Sequence, residues 1–225
     1  MYLRDNSGRA TLAIVFLAAM LLVEMAMVYF EYTYHIYLAQ TDTPAADMYN
    51  LELQLGLIAL IGLVIQIISA TTFVMWFRRA YFNVHQIDKS ARFDEAWAAG
   101  AWFIPILCYI RPYQIMSEMK RTVNQYLREH LDHESKNSPL ELVWWLLWVV
   151  GSIIGAIASR LDSYVEGNEA RATLELMSAT SSAILVPAAI LAIMVVHYHA
   201  KKEKQLYNFY LLDDINVVPK ADMKQ

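Results

Sequence analysis

Four long apolar stretches alternate with charged segments along the chain. The first runs from Thr11 to Phe30 and is interrupted only by Glu24. The second runs from Leu53 to Phe77 with Gln66 inside it, the third from Leu142 to Ser159, and the fourth from Met177 to Val196 with Pro187 inside it. Each approaches the roughly 20 helical residues that cross a hydrocarbon layer about 30 Å thick. Lipid offers no partner to free backbone amides, so these stretches are predicted as helices. The expected fold class is an all-α integral membrane protein, a four-transmembrane-helix bundle forming a single membrane domain over residues 1–225. Arg4 and Arg9 ahead of the first stretch suit a signal peptide. No small-residue cleavage site follows, and Glu24, Tyr29, Phe30 and Tyr32 come instead, so an uncleaved anchor is expected.

A fifth run, Ala96 to Ile110, reads AWAAGAWFIPILCYI. It is short for a span, and Pro105 breaks its hydrogen-bond ladder. Charge decides its placement. With four spans, one side of the membrane holds Arg4 and Arg9, nine Lys and Arg between Arg78 and Lys136, and five from Lys201 onward. The other side holds Arg160 and Arg171. A fifth span would divide the same residues almost evenly. Cytoplasmic loops carry the excess of Lys and Arg, so four spans and cytoplasmic N and C termini are expected. Segment 96–113 then becomes an interfacial or re-entrant element on the cytoplasmic side. Aromatic residues agree: Trp76 and Phe77 close the second stretch, and Trp144, Trp145 and Trp148 open the third. Such amphipathic rings settle at membrane surfaces.

Residues 114–134 carry Ile115, Met119, Val123, Tyr126, Leu127 and His130 at helical spacing. An amphipathic cytoplasmic helix is predicted there, with Lys120, Arg121 and Arg128 placed to meet anionic lipid heads. Pro105 and Pro112 restrict the residues before them, Ile104 and Arg111, to extended backbone. The tail 201–225 reads as a short helix over Leu206–Leu212 and a flexible end.

Composition sharpens this picture in three ways. The chain is 57% hydrophobic and 18% charged, with only 7 Gly, and the block alternation of apolar and charged segments suggests a membrane class. Its net charge of -4 excludes a bulk nucleic-acid binder. One cysteine, Cys108, allows no internal disulfide.

Three clusters carry a resemblance: WFRRAYFN over Trp76–Asn83 with Arg79 inside it, WAAGAWFIPILCYIRPYQIM over Trp97–Met116, and WWLLW over Trp144–Trp148. Trp97, Gly100, Trp102, Phe103, Pro105 and Pro112 mark the second cluster, and Trp144 and Trp145 the third. In this order they resemble the bacterial membrane family catalogued as domain of unknown function 4328. The resemblance implies a multi-pass membrane domain in the cell inner membrane and supplies no activity. Cys108 departs from the family's pattern, which often has Asn at that place. The proline-containing element is expected to act as a collar sealing the bundle, or as a lateral portal.

Polar residues inside or beside the spans are the remaining candidates. An intramembrane carboxylate is costly and is a functional hypothesis by default. Glu24 is the acid well inside a span, and Thr180, Ser181 and Ser182 are expected at its depth. Glu31 shares the Glu24 face and is expected to pair with Arg160 at the outer end of the third helix. Gly151, Gly155 and Ser159 form a small-residue stripe suited to close helix packing. His130, His133 and Glu134 have short metal-like spacing but read as a solvated helix end. The histidines lie outside the deep positions that haem ligation needs.

No catalytic, cofactor-binding or metal-binding set emerges, and no cofactor is expected. The leading functional expectation is a scaffold or assembly subunit of a membrane complex, partnered by lipid, by its own copies or by other membrane proteins, and not by nucleic acid. The second is a small transporter or ion-conducting bundle using Glu24. The third is an intramembrane enzyme.

Overall fold

The protein is described from a computed structural model at residues 2–40, 44–131 and 138–217. Its elements are helices: α1 Ser7–Ala39, α2 Ala45–Ile87, α3 Trp97–Gly100, α4 Arg111–Leu131, α5 Leu140–Leu161 and α6 Asn168–Val217. Two single 3₁₀ turns, Ala101–Phe103 and Leu107–Tyr109, connect α3 to α4, and a third, Asp162–Tyr164, follows α5. Among the described residues four helices, α1, α2, α5 and α6, are long and apolar enough to cross a membrane. The segment 96–113 is not among them, as its length and prolines foretold.

All four spanning helices are longer than their apolar stretches, α5 by the least. α2 has 43 residues and α6 has 50, so at 1.5 Å per residue α6 is about 75 Å long. The tail was expected as a separate short helix over Leu206–Leu212, but α6 runs through it to Val217. The reason is a second, amphipathic period. His199, Lys202, Glu203 and Leu206 recur at helical spacing and are all buried, so the end of α6 has a face of its own to cover. Pro187 does not end the helix. Proline is tolerated in apolar spans because neighbours and small local adjustments re-satisfy the freed carbonyl.

The contacts gather into two compact units. The first comprises Met1–Ala13, Thr72–Ser138 and Val195–Gln225, and the second Ile14–Thr71 and Pro139–Met194. Sixteen of the eighteen Lys and Arg belong to the first unit, and the second holds only Arg160 and Arg171.

The second unit is built by the apolar parts of α1, α2, α5 and α6. Leu53, Leu57, Leu60, Ile61, Val64 and Ile67 line one side of α2 and are exposed. A contiguous exposed apolar face of this length needs an apolar surround. α6 is the most enclosed of the four, with 44% of its apolar window buried against 17–22% for the others. Packing is close at glycine. A Cβ at Gly62 would lie 2.9 Å from Val23, one at Gly151 2.9 Å from Leu185, and one at Gly155 2.8 Å from the Ser181 hydroxyl. The small-residue stripe of α5 therefore faces α6, except that Ser159 is exposed. Trp144 and Trp145 are buried and meet edge to face at 5.5 Å. At one end Tyr34, Leu38, Leu51 and Ala172 form a small apolar cluster.

The first unit has a protein core. Trp76, Phe77 and Tyr81 of α2, Ile115, Met116 and Met119 of α4, and Val195 and Val196 of α6 are essentially inaccessible. Leu3, Leu127 and Leu206 form a further cluster. The apolar face of α4 is thus covered by protein rather than laid on lipid. α4 begins at Arg111, so Arg111 is helical and not extended as expected. Pro112 falls in the first turn, where a missing N–H costs nothing. Ile104 does take the extended backbone that Pro105 imposes, with φ -103° and ψ 118°. His133 and Glu134 lie outside the described residues. His130 is exposed and stacks on Tyr126 at 4.0 Å.

Candidate functional site

In the second unit, polar side chains meet between α1 and α6. Glu24 and Glu31 lie seven residues apart, two helical turns, and so share a face of α1. Both are buried, at 7% and 6% exposure. The Ser182 hydroxyl donates to Glu31 Oε2 at 2.9 Å, and Glu24 interacts with the same hydroxyl. Glu175, one face-repeat before Ser182 on α6, is close enough to Glu31 for their charges to interact. Ser181 is also buried, and its hydroxyl donates to the Gly151 carbonyl oxygen at 2.9 Å. Nearby on the same two helices, His35 Nδ1 lies 2.7 Å from the Ala172 carbonyl oxygen.

The expected membership of this site changes in two places. Thr180 is exposed, and its hydroxyl bonds back to the Leu176 carbonyl of its own helix at 2.7 Å. Glu31 is not ion-paired with Arg160: Ser182 holds Glu31, and Arg160 is exposed. The physical reason is direction. Arg160 projects from α5, whereas Ser182 projects from α6 into the α1 face that carries both acids. The second carboxylate was legible as an i, i+7 repeat matched by Glu175 and Ser182 on the partner helix, but only if α1 and α6 are known to face one another.

In the first unit a buried polar hub forms around Asn83. Its Nδ2 donates to the Arg4 carbonyl oxygen at 2.8 Å and to Glu203 Oε1, and its Oδ1 accepts from the Arg4 N–H at 2.9 Å. Asn6 Nδ2 donates to the other Glu203 oxygen, Oε2, at 3.0 Å and to the Trp76 carbonyl oxygen at 3.1 Å. Both Glu203 oxygens are therefore satisfied by amides 120 and 197 residues away in sequence. Beside this hub, Lys202 donates to Asn124 Oδ1 and lies over the Tyr198 ring. Glu118 accepts from the Tyr81 hydroxyl at 2.8 Å and from the Arg92 N–H at 2.7 Å. Asp5 and Asp88 cap the turns that follow them. The Ser7 and Ser90 hydroxyls and N–H groups, respectively, hold these carboxyls below their ordinary range.

The residues of the family-like motif divide between these environments. Trp76 is fully buried against Phe73, Phe77 and His199. Arg79 is half-buried and senses Glu203 electrostatically. Trp102 meets Phe73 and Phe77 edge to face at 5.6 and 6.0 Å. Trp97 and Phe93 receive the Arg111 guanidinium on their faces, at 5.3 and 4.3 Å. Phe103 and Pro105 are exposed, Pro112 is buried, and Gly100 meets no neighbour that a Cβ would touch. Sequence reading missed Asn6, Glu118, Asn124, Lys202 and Glu203. Polar residues in charged segments look like solvated surface until the helices that cover them are in place.

Chemically, the hub is a lock. Every strong acceptor on Glu203 is taken, so it ties the chain's beginning to α2 and α6. The Glu24–Ser182–Glu31 group is different in kind: two acids share one hydroxyl donor in an apolar surround. No curated protein and no solved structure matches the chain. The model of the family described as Domain of unknown function (DUF4328) matches residues 40–201, well over half of the sequence, and the protein belongs to that family.

Proposed function

We propose that the protein is a multi-pass component of a bacterial inner membrane, with both termini in the cytoplasm, that binds a proton or cation at Glu24 and Glu31 and acts as a small transporter or ion-conducting bundle. One observation carries this reading: two buried carboxylates on one face of α1 converge on the single hydroxyl of Ser182. A lone intramembrane acid is readily explained as helix glue. Two acids at one donor leave lone pairs over, and an apolar surround makes two neighbouring negative charges costly. A shared proton or a bound cation relieves both problems. The charge asymmetry of the segments supports the orientation.

The test is flux in proteoliposomes loaded with a pH-sensitive dye and placed under a pH or cation gradient. Wild-type protein should dissipate the gradient. Glu24→Gln and Glu31→Gln should each abolish flux while keeping the wild-type melting profile. Wild-type liposomes as tight as protein-free ones under every gradient would overturn the reading.

An assembly or scaffold role is the second reading. The Asn83 hub favours it, because binding three distant chain segments together builds a rigid polar platform. In that case both Gln variants keep function, and a stoichiometric partner co-purifies in mild detergent and is lost when the hub is broken.

A further inference from the structure

The loop between α3 and α4 presents the most concentrated apolar surface of the first unit. Phe103 is 80% exposed and Ile106 73%, and Ile104, Pro105, Tyr109 and Ile110 are exposed beside them. No charged residue occurs from Ala96 to Ile110. A contiguous exposed apolar tip marks an interaction site. Its occupant must be apolar, must lie beside the loop's anchor and must tolerate irregular backbone.

Three observations identify that occupant. The first is the anchor. Trp102 packs on Phe73 and Phe77, the last rings of the apolar stretch of α2, immediately before Arg78 and Arg79. The loop therefore starts at the level where α2 changes from apolar to charged, the boundary of any bilayer that α2 crosses. The second is the backbone. Leu107, Cys108, Tyr109 and Ile110 donate their N–H groups to Pro105, Ile104, Ile106 and Leu107 respectively, at 2.8 to 3.1 Å. Pro105 has no N–H to satisfy. Non-helical backbone enters lipid only at a cost of several kcal/mol per unpaired group, and these groups are paired within the loop. The third is Arg111 at the loop's end, held over Phe93 and Trp97, where a cation beside aromatic rings suits the headgroup level.

We infer that the Phe103–Ile110 loop inserts its tip into the acyl region of the bilayer leaflet beside the Phe73–Phe77 end of α2, as a shallow re-entrant anchor rather than a surface-lying segment. The site binds lipid chains and is independent of Glu24 and Glu31.

The test uses the full chain with Cys108→Ser, a single new cysteine at Phe103 or Ile106, and an environment-sensitive fluorophore on it. Lys89→Cys, in an exposed turn, is the aqueous control. The protein is reconstituted in phosphatidylcholine–phosphatidylglycerol vesicles. Nitroxide-bearing lipid should quench the Phe103 and Ile106 positions strongly, and aqueous iodide should quench them several-fold less than Lys89. Both side chains are exposed, so neither substitution removes core packing, and two positions give independent readings. Equal iodide quenching at all three positions overturns the inference, because the loop is then in water. So does weak quenching by both agents that disappears on dilution with lipid, which would mean that a second copy covers the loop. Weak quenching that survives dilution also overturns it, since the tip would then be covered by its own chain.

Discussion

Gly155 offers a quantitative test of the α5–α6 packing. A Cβ there would lie 2.8 Å from the Ser181 hydroxyl oxygen, closer than real Cβ contacts reach. Ser181 is not free to yield, because the same hydroxyl donates its O–H to the Gly151 carbonyl oxygen at 2.9 Å. In Gly155→Ala the hydroxyl must turn away or the helices must part. Turning away loses an interhelical bond worth about 0.6 kcal/mol on average in membranes and up to about 1.7. Parting the helices costs about 1–3 kcal/mol in disturbed packing. Alanine returns up to about 1 kcal/mol as a better helix former than glycine. The net expectation is a loss of about 1 kcal/mol for Gly155→Ala, and about 3 kcal/mol for Gly155→Leu, where no rotation makes room. Gly56 supplies the control, since nothing lies within 4 Å of a Cβ there. Gly56→Ala should be neutral or slightly stabilising. Equilibrium unfolding by detergent titration in mixed micelles reads all three. Adding Ser181→Ala to Gly155→Ala removes the obstructing atom and should recover the steric part of the loss. The reasoning is refuted if Gly155→Ala is as stable as Gly56→Ala, or if the double variant is no better than the sum of its parts.

Further outcomes follow from the same geometry. Asn83→Leu strips the Arg4 N–H of its acceptor and Glu203 Oε1 of its donor, at about 1–3 kcal/mol for each buried group left unpaired. Hydrogen exchange should then rise at Arg4, and unchanged protection there would mean the hub does not hold the chain's beginning. Asn83→Asp should be worse than Asn83→Leu at neutral pH, because it sets a second carboxylate against Glu203; equal stability would show that the two side chains move apart. A reporter active only in the cytoplasm should work when fused after Asn137 or Gln225 and fail after Asp47 or Asn168. Activity at Asp47 would contradict the charge argument for orientation.

How much the sequence determined follows from what is local. Length and continuity of apolar stretches are local, so the spanning helices α1, α2, α5 and α6, and the rejection of a fifth span over 96–113, were legible without coordinates. The periodic apolar face of α4 was legible for the same reason, and so was the extended backbone at Ile104, which depends only on the proline after it. Which side chain answers which is not local. Glu31 finds Ser182 rather than Arg160 because α6 faces α1 at that level, and no pattern within either helix states that pairing. Glu203 and Lys202 sit in a run of charges that reads as solvated surface. Tertiary structure buries them because α2, α4 and the chain's beginning supply Asn83, Asn124 and Asn6 as partners across 78 to 197 residues. The length of α6 belongs with these. Its end stays helical because its amphipathic face has something to cover, and that cover exists only once the first unit is assembled.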